Sequence, residues 1–156
     1  MLAYVLLGKY HHDVSERGNT VVNHESKRVI VYVANPTILD VTTFRLELIG
    51  MTAIAAGSDD QMAAEFSSAL PDAVLIDLDL ADGRGLYWVE KIASEECSSH
   101  IPIICVSTKG DLEQAEQAFK AGARGFLVAP YDPILLEEKL LGMLQQAASP
   151  IVGARS

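Results

Sequence analysis

The residues best placed to do chemistry are aspartates that follow a short apolar run near the middle of the chain. Asp77 comes directly after Ala73-Val74-Leu75-Ile76, and Asp79 and Asp82 follow it at short intervals. Carboxylates in such a position can act as hard oxygen ligands, and they can also simply cap a loop. A carboxylate beside a buried run is costly unless water or hydrogen-bonding partners satisfy it. Asp77 is therefore the centre of any candidate site.

Short runs rich in β-branched residues predict the strands that position this aspartate. Each run is almost continuously apolar, which is typical of strands covered on both faces. The five runs are Val29–Val33, Met51–Ala56, Ala73–Asp77, Ile101–Val106 and Gly125–Val128. Stretches with apolar residues at helical spacing separate the runs and follow the last one. This alternation predicts an α/β domain with a parallel sheet.

The apolar residues at helical spacing predict five helices. The residues with this spacing are Ile38, Val41, Leu48 and Ile49 in the first helix, Met62, Phe66 and Leu70 in the second, Leu86, Val89 and Ile92 in the third, Leu112, Ala115, Ala118 and Phe119 in the fourth, and Leu135, Leu136, Leu140, Met143 and Leu144 in the fifth.

In an open α/β sheet the functional crevice lies beyond the carboxyl ends of the strands. The first strand delivers Val33-Ala34-Asn35-Pro36 to that edge, the fourth delivers Ser107-Thr108-Lys109-Gly110, and the fifth delivers Ala129-Pro130. Only the third strand delivers carboxylates there.

Composition and charge narrow the classes of function. Basic and acidic residues balance over residues 1–27, so the formal charge of −9 falls on the rest of the 156-residue chain. This acidity argues against binding to nucleic acid. No apolar run approaches the roughly 18 residues of a membrane span. Cys97 and Cys105 do not form a disulfide framework, and we expect a cytoplasmic protein. We divide the chain into an N-terminal extension (1–27), one domain (28–147) and a C-terminal tail (148–156).

Three segments, in order along the chain, resemble those of response-regulator receiver domains. Pro71–Leu78 resembles their third-strand segment, and the resemblance makes Asp77 the phosphoacceptor candidate. Ile101–Ser107 resembles their fourth strand with its hydroxyl residue, and Ala118–Pro130 resembles the segment that contains their fifth strand. The resemblance covers about residues 28–146. It implies a flavodoxin-like (βα)5 doubly wound fold whose five-stranded parallel sheet has the strand order 2-1-3-4-5.

The chain departs from the family pattern at the positions that carry charge. Receivers place two acidic residues after the first strand to hold magnesium, and here Val33 and Ala34 stand there. They place a lysine before the proline after the fifth strand, and here Ala129 stands there. The positions that match the family are Asp77, the hydroxyl residue Ser107, Pro130 and the switch aromatic Phe126. Asp79 matches the position at which the family uses a backbone carbonyl to complete its metal site. The expected pocket is Val33, Ala34, Asp79, Ser107, Ala129 and Pro130.

These departures indicate a degenerate receiver domain rather than an enzyme. We expect a protein–protein interaction module of two-component phosphorelay signalling, without efficient magnesium-dependent phosphorylation and without a metal or cofactor. The expected partners are a sensor kinase, an output protein or a second copy of the chain. By resemblance, a homodimer would use the face of the fourth helix, fifth strand and fifth helix. In this sequence that face comprises Leu112–Lys120, Arg124–Val128 and Pro133–Gln145.

Two alternatives stay open on the sequence alone. The first is a single-domain response regulator that is still phosphorylated on Asp77, with Asp79 or Asp82 replacing the lost carboxylates and Arg84 or Lys109 supplying a counter-charge. The second is a regulatory domain that binds a small molecule in the vacated, more apolar pocket. A flavin mononucleotide site is excluded because the turn after the first strand has no glycine. A cobalamin site is excluded because its histidine position holds Asp79.

Overall fold

Strands and helices alternate through the part of the chain described by the computed structural model, residues 26–147. The elements are β1 (Arg28–Tyr32), α1 (Pro36–Leu48), β2 (Thr52–Ala56), α2 (Asp59–Ser68), β3 (Ala73–Asp77), α3 (Arg84–Ser94), β4 (Ile103–Ser107), α4 (Leu112–Ala121), β5 (Gly125–Val128) and α5 (Pro133–Ala147). A 3₁₀ turn, Ala81–Gly83, precedes α3. Most of the predicted N-terminal extension and all of the predicted tail lie outside the described residues.

The five strands form one parallel sheet in the order β2-β1-β3-β4-β5, which confirms the predicted fold class. The central strand β3 lies between β1 and β4, and Ile76 pairs with Tyr32 on one side and Cys105 on the other. Every residue of β3 and β4 is buried. The apolar runs therefore lie in the middle of the sheet, where both faces are covered.

The strand boundaries differ slightly from those predicted, and one difference has a clear cause. The strand β4 begins at Ile103 rather than Ile101. Pro102 accepts a hydrogen bond from the Val74 N–H at 3.0 Å, but it has no N–H of its own to donate. A proline can therefore lead into the strand without extending its ladder.

Side-chain caps fix where α1, α2 and α4 begin. Asn35 accepts from the backbone N–H groups of the first turn of α1, Ser58 accepts from that of Gln61 in α2, and Asp111 accepts from that of Gln114 in α4. Such caps satisfy backbone donors that have no partner inside the helix. Aspartate favours the start of a helix, as at Asp111, and glycine favours its end, as at Gly122, where φ is +123°.

Two apolar cores lie on opposite faces of the sheet. The helices α2, α3 and α4 cover one face with residues that include Met62, Trp88 and Ala118. The helices α1 and α5 cover the other face, where Leu46 and Leu136 pack. None of the helices within residues 26–147 is long and apolar enough to cross a membrane.

The five predicted helices are all present, but several of the apolar residues at helical spacing are exposed rather than buried. Val41 is 51% exposed because α1 buries Thr42 and Leu46 instead. Thr42 can be buried because its hydroxyl is hydrogen-bonded to that of Tyr131. Leu70 is exposed because α2 ends at Ser68, and residues before a proline disfavour helix. The other apolar residues of this kind are Leu112, Phe119 and Leu135.

Candidate functional site at the carboxyl edge of the sheet

Asp77 is buried at the end of the central strand, and the main chain satisfies its carboxylate. Only 6% of the residue is exposed to solvent. Its Oδ2 accepts from the Ala34 N–H at 3.0 Å, and its Oδ1 accepts from the Asp79 N–H at 2.7 Å. These two bonds join the turns that follow β1 and β3. They supply the partners that a buried carboxylate requires.

Asp79 receives a separate set of donors from the end of β4. Its Oδ1 lies 3.1 Å from the Ser107 hydroxyl, and its Oδ2 accepts from both the N–H and the hydroxyl of Thr108 at 2.7 Å. Burial alone would raise the pKa of the Asp79 carboxyl. The hydrogen bonds from Thr108 and Ser107, together with the charge of Lys109, outweigh burial and lower that pKa below its usual value.

The remaining predicted pocket residues lie around this edge without adding charge. Val33 and Ala129 are buried, and Ala34 contributes its backbone N–H. Ala129 joins Pro130 through a cis peptide bond and donates its N–H to the Ser107 carbonyl at 2.7 Å. Phe126, the predicted switch aromatic, is half-buried and packs against the core formed with α2, α3 and α4.

The side chains at this edge do not fit a magnesium ion. Magnesium requires hard oxygen ligands, usually including one or two carboxylates. Val33 and Ala34 carry no side-chain oxygen, and the two carboxylates at this edge accept hydrogen bonds on all four oxygens: Asp77 from the main chain, and Asp79 from Ser107 and Thr108. Within residues 26–147 no three His, Cys, Asp or Glu side chains are grouped so that they could hold a metal ion.

Arg84, one of the two counter-charges considered from the sequence, is directed to another partner. It forms an ion pair with Asp59 at the start of α2, and its guanidinium lies 4.1 Å from the centre of the exposed Tyr87 ring. Lys109 contributes positive charge near Asp79. Asp82 is exposed in the 3₁₀ turn, with φ of 60°. The counter-charge at the edge of the sheet therefore comes from Lys109.

A polar cluster beside the site was not found from the sequence. Asp59 Oδ1 accepts from the Tyr32 hydroxyl at 2.7 Å and from the Trp88 indole N–H at 3.0 Å, while Oδ2 binds Arg84. Burial, the hydrogen bond to Asp59 and its negative charge raise the pKa of Tyr32 to about 12. Burial opposes ionisation of Asp59, but its hydrogen bonds and Arg84 lower its pKa. These residues belong to three elements far apart in sequence, so no local pattern indicates the cluster.

A cavity of about 220 Å³ lies between α1 and the start of α5. Its lining is mostly apolar and includes Ile38, Val41, Leu136 and Pro130, but not Val33, Ala34 or Ala129. This cavity is therefore next to the predicted pocket and on the α1–α5 face of the sheet rather than at the carboxylates.

Comparison with known proteins finds response regulators and their receiver domain. A sequence model of the response regulator receiver domain matches residues 29–141. The chemotaxis protein CheY homolog of Campylobacter jejuni is 28% identical in an alignment of 116 positions that covers 69% of this chain and 89% of that protein. The phosphate regulon transcriptional regulatory protein PhoB of Escherichia coli is 22% identical over 78% of this chain and 53% of its own length. The chain thus spans about half the length of that relative.

Solved structures agree with the fold. The CheY-like response regulator receiver domain protein from Methanospirillum hungatei has a TM-score of 0.74 and 25% identity, covering 81% of this chain and 99% of that one. A response regulator structure from Chloroflexus aurantiacus has a TM-score of 0.73 at 21% identity, covering 78% of this chain and 99% of that one.

Proposed function

Since the chain belongs to the response regulator receiver domain family, we propose that it is a degenerate receiver. It acts in two-component signalling by contact with protein partners, not as an enzyme and not through efficient magnesium-dependent phosphorylation of Asp77. We place this action in the cytoplasm. The free thiols of Cys97 and Cys105 accord with that reducing compartment.

The observation that carries the proposal is the loss of charge around a carboxylate that the main chain already satisfies. Phosphoryl transfer depends on positioning and on neutralising the charge of the phosphoryl oxygens. Val33 and Ala34 supply no ligand for a divalent cation, and Ala129 supplies no ammonium. Loss of one cationic group from a phosphoryl-transfer site typically costs roughly 10³-fold in rate. Two such losses make Asp77 a poor acceptor.

Labelling with a small phosphodonor tests this proposal. The protein is incubated with acetyl phosphate and magnesium, and separately with beryllofluoride and magnesium, and intact mass and NMR report any adduct. We expect no adduct on the natural chain. A stoichiometric adduct that disappears in Asp77→Asn would overturn the proposal and favour the phosphorylated alternative.

A restored variant makes a negative result informative. Val33→Asp, Ala34→Asp and Ala129→Lys together return the missing charges to the edge around Asp77. We expect this triple variant to bind magnesium and to form the adduct, provided that circular dichroism reports a folded protein. If the folded triple variant also fails to react, the missing charges are not what limits reactivity, and the proposed reason is wrong.

The partner-binding surface that we propose is the face of α4, β5 and α5. Apolar side chains are exposed on α4 and β5: Leu112 is 74% exposed, Phe119 50% and Val128 47%. Val128 packs over Gly110, which places the loop before α4 against β5. Exposed Lys120 follows exposed Glu116 by four residues in α4, and exposed Arg124 directly precedes β5. Exposed apolar residues surrounded by charge are typical of a contact surface.

Glu137 does not belong to this surface, although the sequence placed it there. Its carboxylate accepts from Arg45 Nε at 3.0 Å and lies 2.8 Å from a second guanidinium nitrogen, so it faces α1. The acidic residues exposed on the proposed surface are Glu113, Glu116 and Glu138. Charge pairing between two copies through this surface would therefore use these three carboxylates and not Glu137.

Sedimentation over a range of protein concentrations tests self-association through this surface. Phe119→Asp places a charge within it, and Phe44→Asp places the same charge on α1, where Phe44 is 61% exposed. We expect dimerisation that Phe119→Asp weakens and Phe44→Asp leaves unchanged. A natural chain that stays monomeric at high concentration rules out the homodimer, and equal weakening by both variants rules out this surface.

A further inference from the structure

The donors at the carboxyl end of β4 converge on one internal anion. The Ser107 hydroxyl, the Thr108 N–H and the Thr108 hydroxyl all lie within 3.1 Å of a carboxylate oxygen of Asp79. Ser107 is 1% exposed, so its hydroxyl is fixed in a buried position. A backbone N–H and two hydroxyl groups aimed at one point are the donors that protein sites use to bind an oxyanion.

Asp79 also holds the neighbouring carboxylate in place. Its backbone N–H donates to Asp77 Oδ1 at 2.7 Å, while its side chain extends to the end of β4. One residue therefore connects the acidic end of β3 with the donors of β4. A phosphate-like group placed at this edge would have to compete with the Asp79 carboxylate for the same hydrogen bonds, and it would meet like charge.

The bonds of Ser107 extend this connection to α4. Ser107 Oγ lies 2.6 Å from Gln114 Oε1 and accepts from the Lys109 N–H at 3.0 Å. The hydroxyl has a single proton, so it can donate to only one of Asp79 and Gln114 at a time. Turning the Gln114 amide, so that its NH₂ group donates to Ser107, leaves the proton for Asp79. In that arrangement Asp79 fixes the whole Ser107–Gln114 segment.

We propose that the Asp79 carboxylate is a built-in anion that fills the oxyanion-binding donor set at the end of β4 and holds the segment leading into α4. The inference rests on the proposed function in one respect, namely that no phosphoryl group on Asp77 competes for these donors. Removing the carboxylate should then expose a site for an inorganic oxyanion such as phosphate or sulfate. It should also loosen the start of the proposed contact surface.

Titration of inorganic phosphate, followed by the amide signals of Thr108, Lys109 and Gln114, tests this inference. Asp79→Ala removes the internal anion, and we expect a saturable shift of the Thr108 amide that the natural chain does not give. Asp82→Asn is the matched control, because it removes the same charge from the same loop without touching the β4 donors. Asparagine is chosen there because it tolerates the positive φ of Asp82.

We expect phosphate binding to Asp79→Ala to be about tenfold or more tighter than to Asp82→Asn. If the two variants respond alike, or if the natural chain binds phosphate equally well, the inference is wrong. Should Asp79→Ala not fold, Asp79→Asn keeps the shape but leaves the Thr108 N–H a neutral amide oxygen, which is a weaker acceptor than the carboxylate. Faster hydrogen exchange of the Thr108 amide is then expected, and unchanged exchange contradicts the inference.

The outcome can be separated from that of the proposed function. Intact mass during the phosphate titration checks that no covalent adduct forms, so a shift at Thr108 reports noncovalent binding alone. Labelling of Asp77 by a phosphodonor would overturn the proposed function, but it would not account for a failed phosphate titration of Asp79→Ala. A failed titration with an unlabelled Asp77 would overturn only the role of Asp79.

Discussion

Replacing Gly85 by alanine should destabilise the protein through a contact with the backbone of Asp77. Gly85 is buried in the first turn of α3, which passes close to the end of β3. An added Cβ would lie 2.3 Å from the Asp77 carbonyl oxygen and 3.0 Å from the Leu78 Cα. The obstacle is main chain rather than the end of a flexible side chain. Either α3 or the turn that holds Asp77 must therefore move.

Two opposing effects set the expected magnitude at Gly85. Glycine in a helix is less favourable than alanine by about 0.5–1 kcal/mol, which favours the substitution. Forcing extra volume into a packed site costs about 1–3 kcal/mol, and more where the neighbours cannot yield. The central strand β3 is bonded on both sides, so it yields little. We expect the free energy of unfolding to fall by roughly 1–2 kcal/mol.

Gly142 provides the matched control in α5. It is exposed, and a Cβ built there meets no atom within 4 Å. Gly142→Ala should therefore raise the free energy of unfolding by about 0.5–1 kcal/mol. Urea denaturation followed by circular dichroism and by tryptophan fluorescence measures both variants. The reasoning is refuted if Gly85→Ala is as stable as the natural chain, or more stable, while Gly142→Ala gains stability as expected.

Further perturbations probe the polar cluster, the core and a cap. The raised pKa of Tyr32, about 12 against an ordinary 10.0, contributes stability that is present below pH 10 and lost between pH 10 and 12. In alkaline denaturation Tyr32→Phe should lose less stability over that range than the natural chain, by roughly 2 kcal/mol, and an unchanged profile would contradict the assignment. Leu140→Ala, at a 1% exposed position, should cost about 2–5 kcal/mol, whereas Leu141→Ala, at a 47% exposed position, should cost at most about 0.5 kcal/mol. Asp111→Ala should cost about 1 kcal/mol in chemical denaturation by removing the cap of α4, and no loss would mean that the cap contributes nothing in solution.

The fold could be read from the sequence because its strongest signals are local. Runs such as Ala73–Asp77 combine β-branched residues with continuous apolar character, and capping residues such as Asp111 mark the helix starts. Alternating strands and helices leave few arrangements, because parallel crossovers are right-handed. Asp77 could be placed at the edge of the sheet because it directly follows the apolar residues of such a run.

The contacts around Asp77 and Asp79 could not be read from the sequence, because they join segments far apart in the chain. From the sequence, Arg84 was only one of two alternative counter-charges for Asp77, and in the structure Arg84 pairs with Asp59 across 25 residues. From the sequence, Asp79 matched a position that uses its backbone carbonyl, whereas in the structure its side chain binds Thr108 across 29 residues. Which way a charged side chain turns depends on the donors that packing brings near it.

By itself the sequence determined the order of elements, the family resemblance and the absence of charge at Val33, Ala34 and Ala129, because these depend on residue type and local period. Only the tertiary structure decided that main-chain N–H groups satisfy Asp77, that Asp79 takes the donors of β4, and that Phe119 is exposed. Those outcomes depend on how the strand ends and helices approach one another. That approach is set by packing over the whole domain, and no short stretch of sequence contains it.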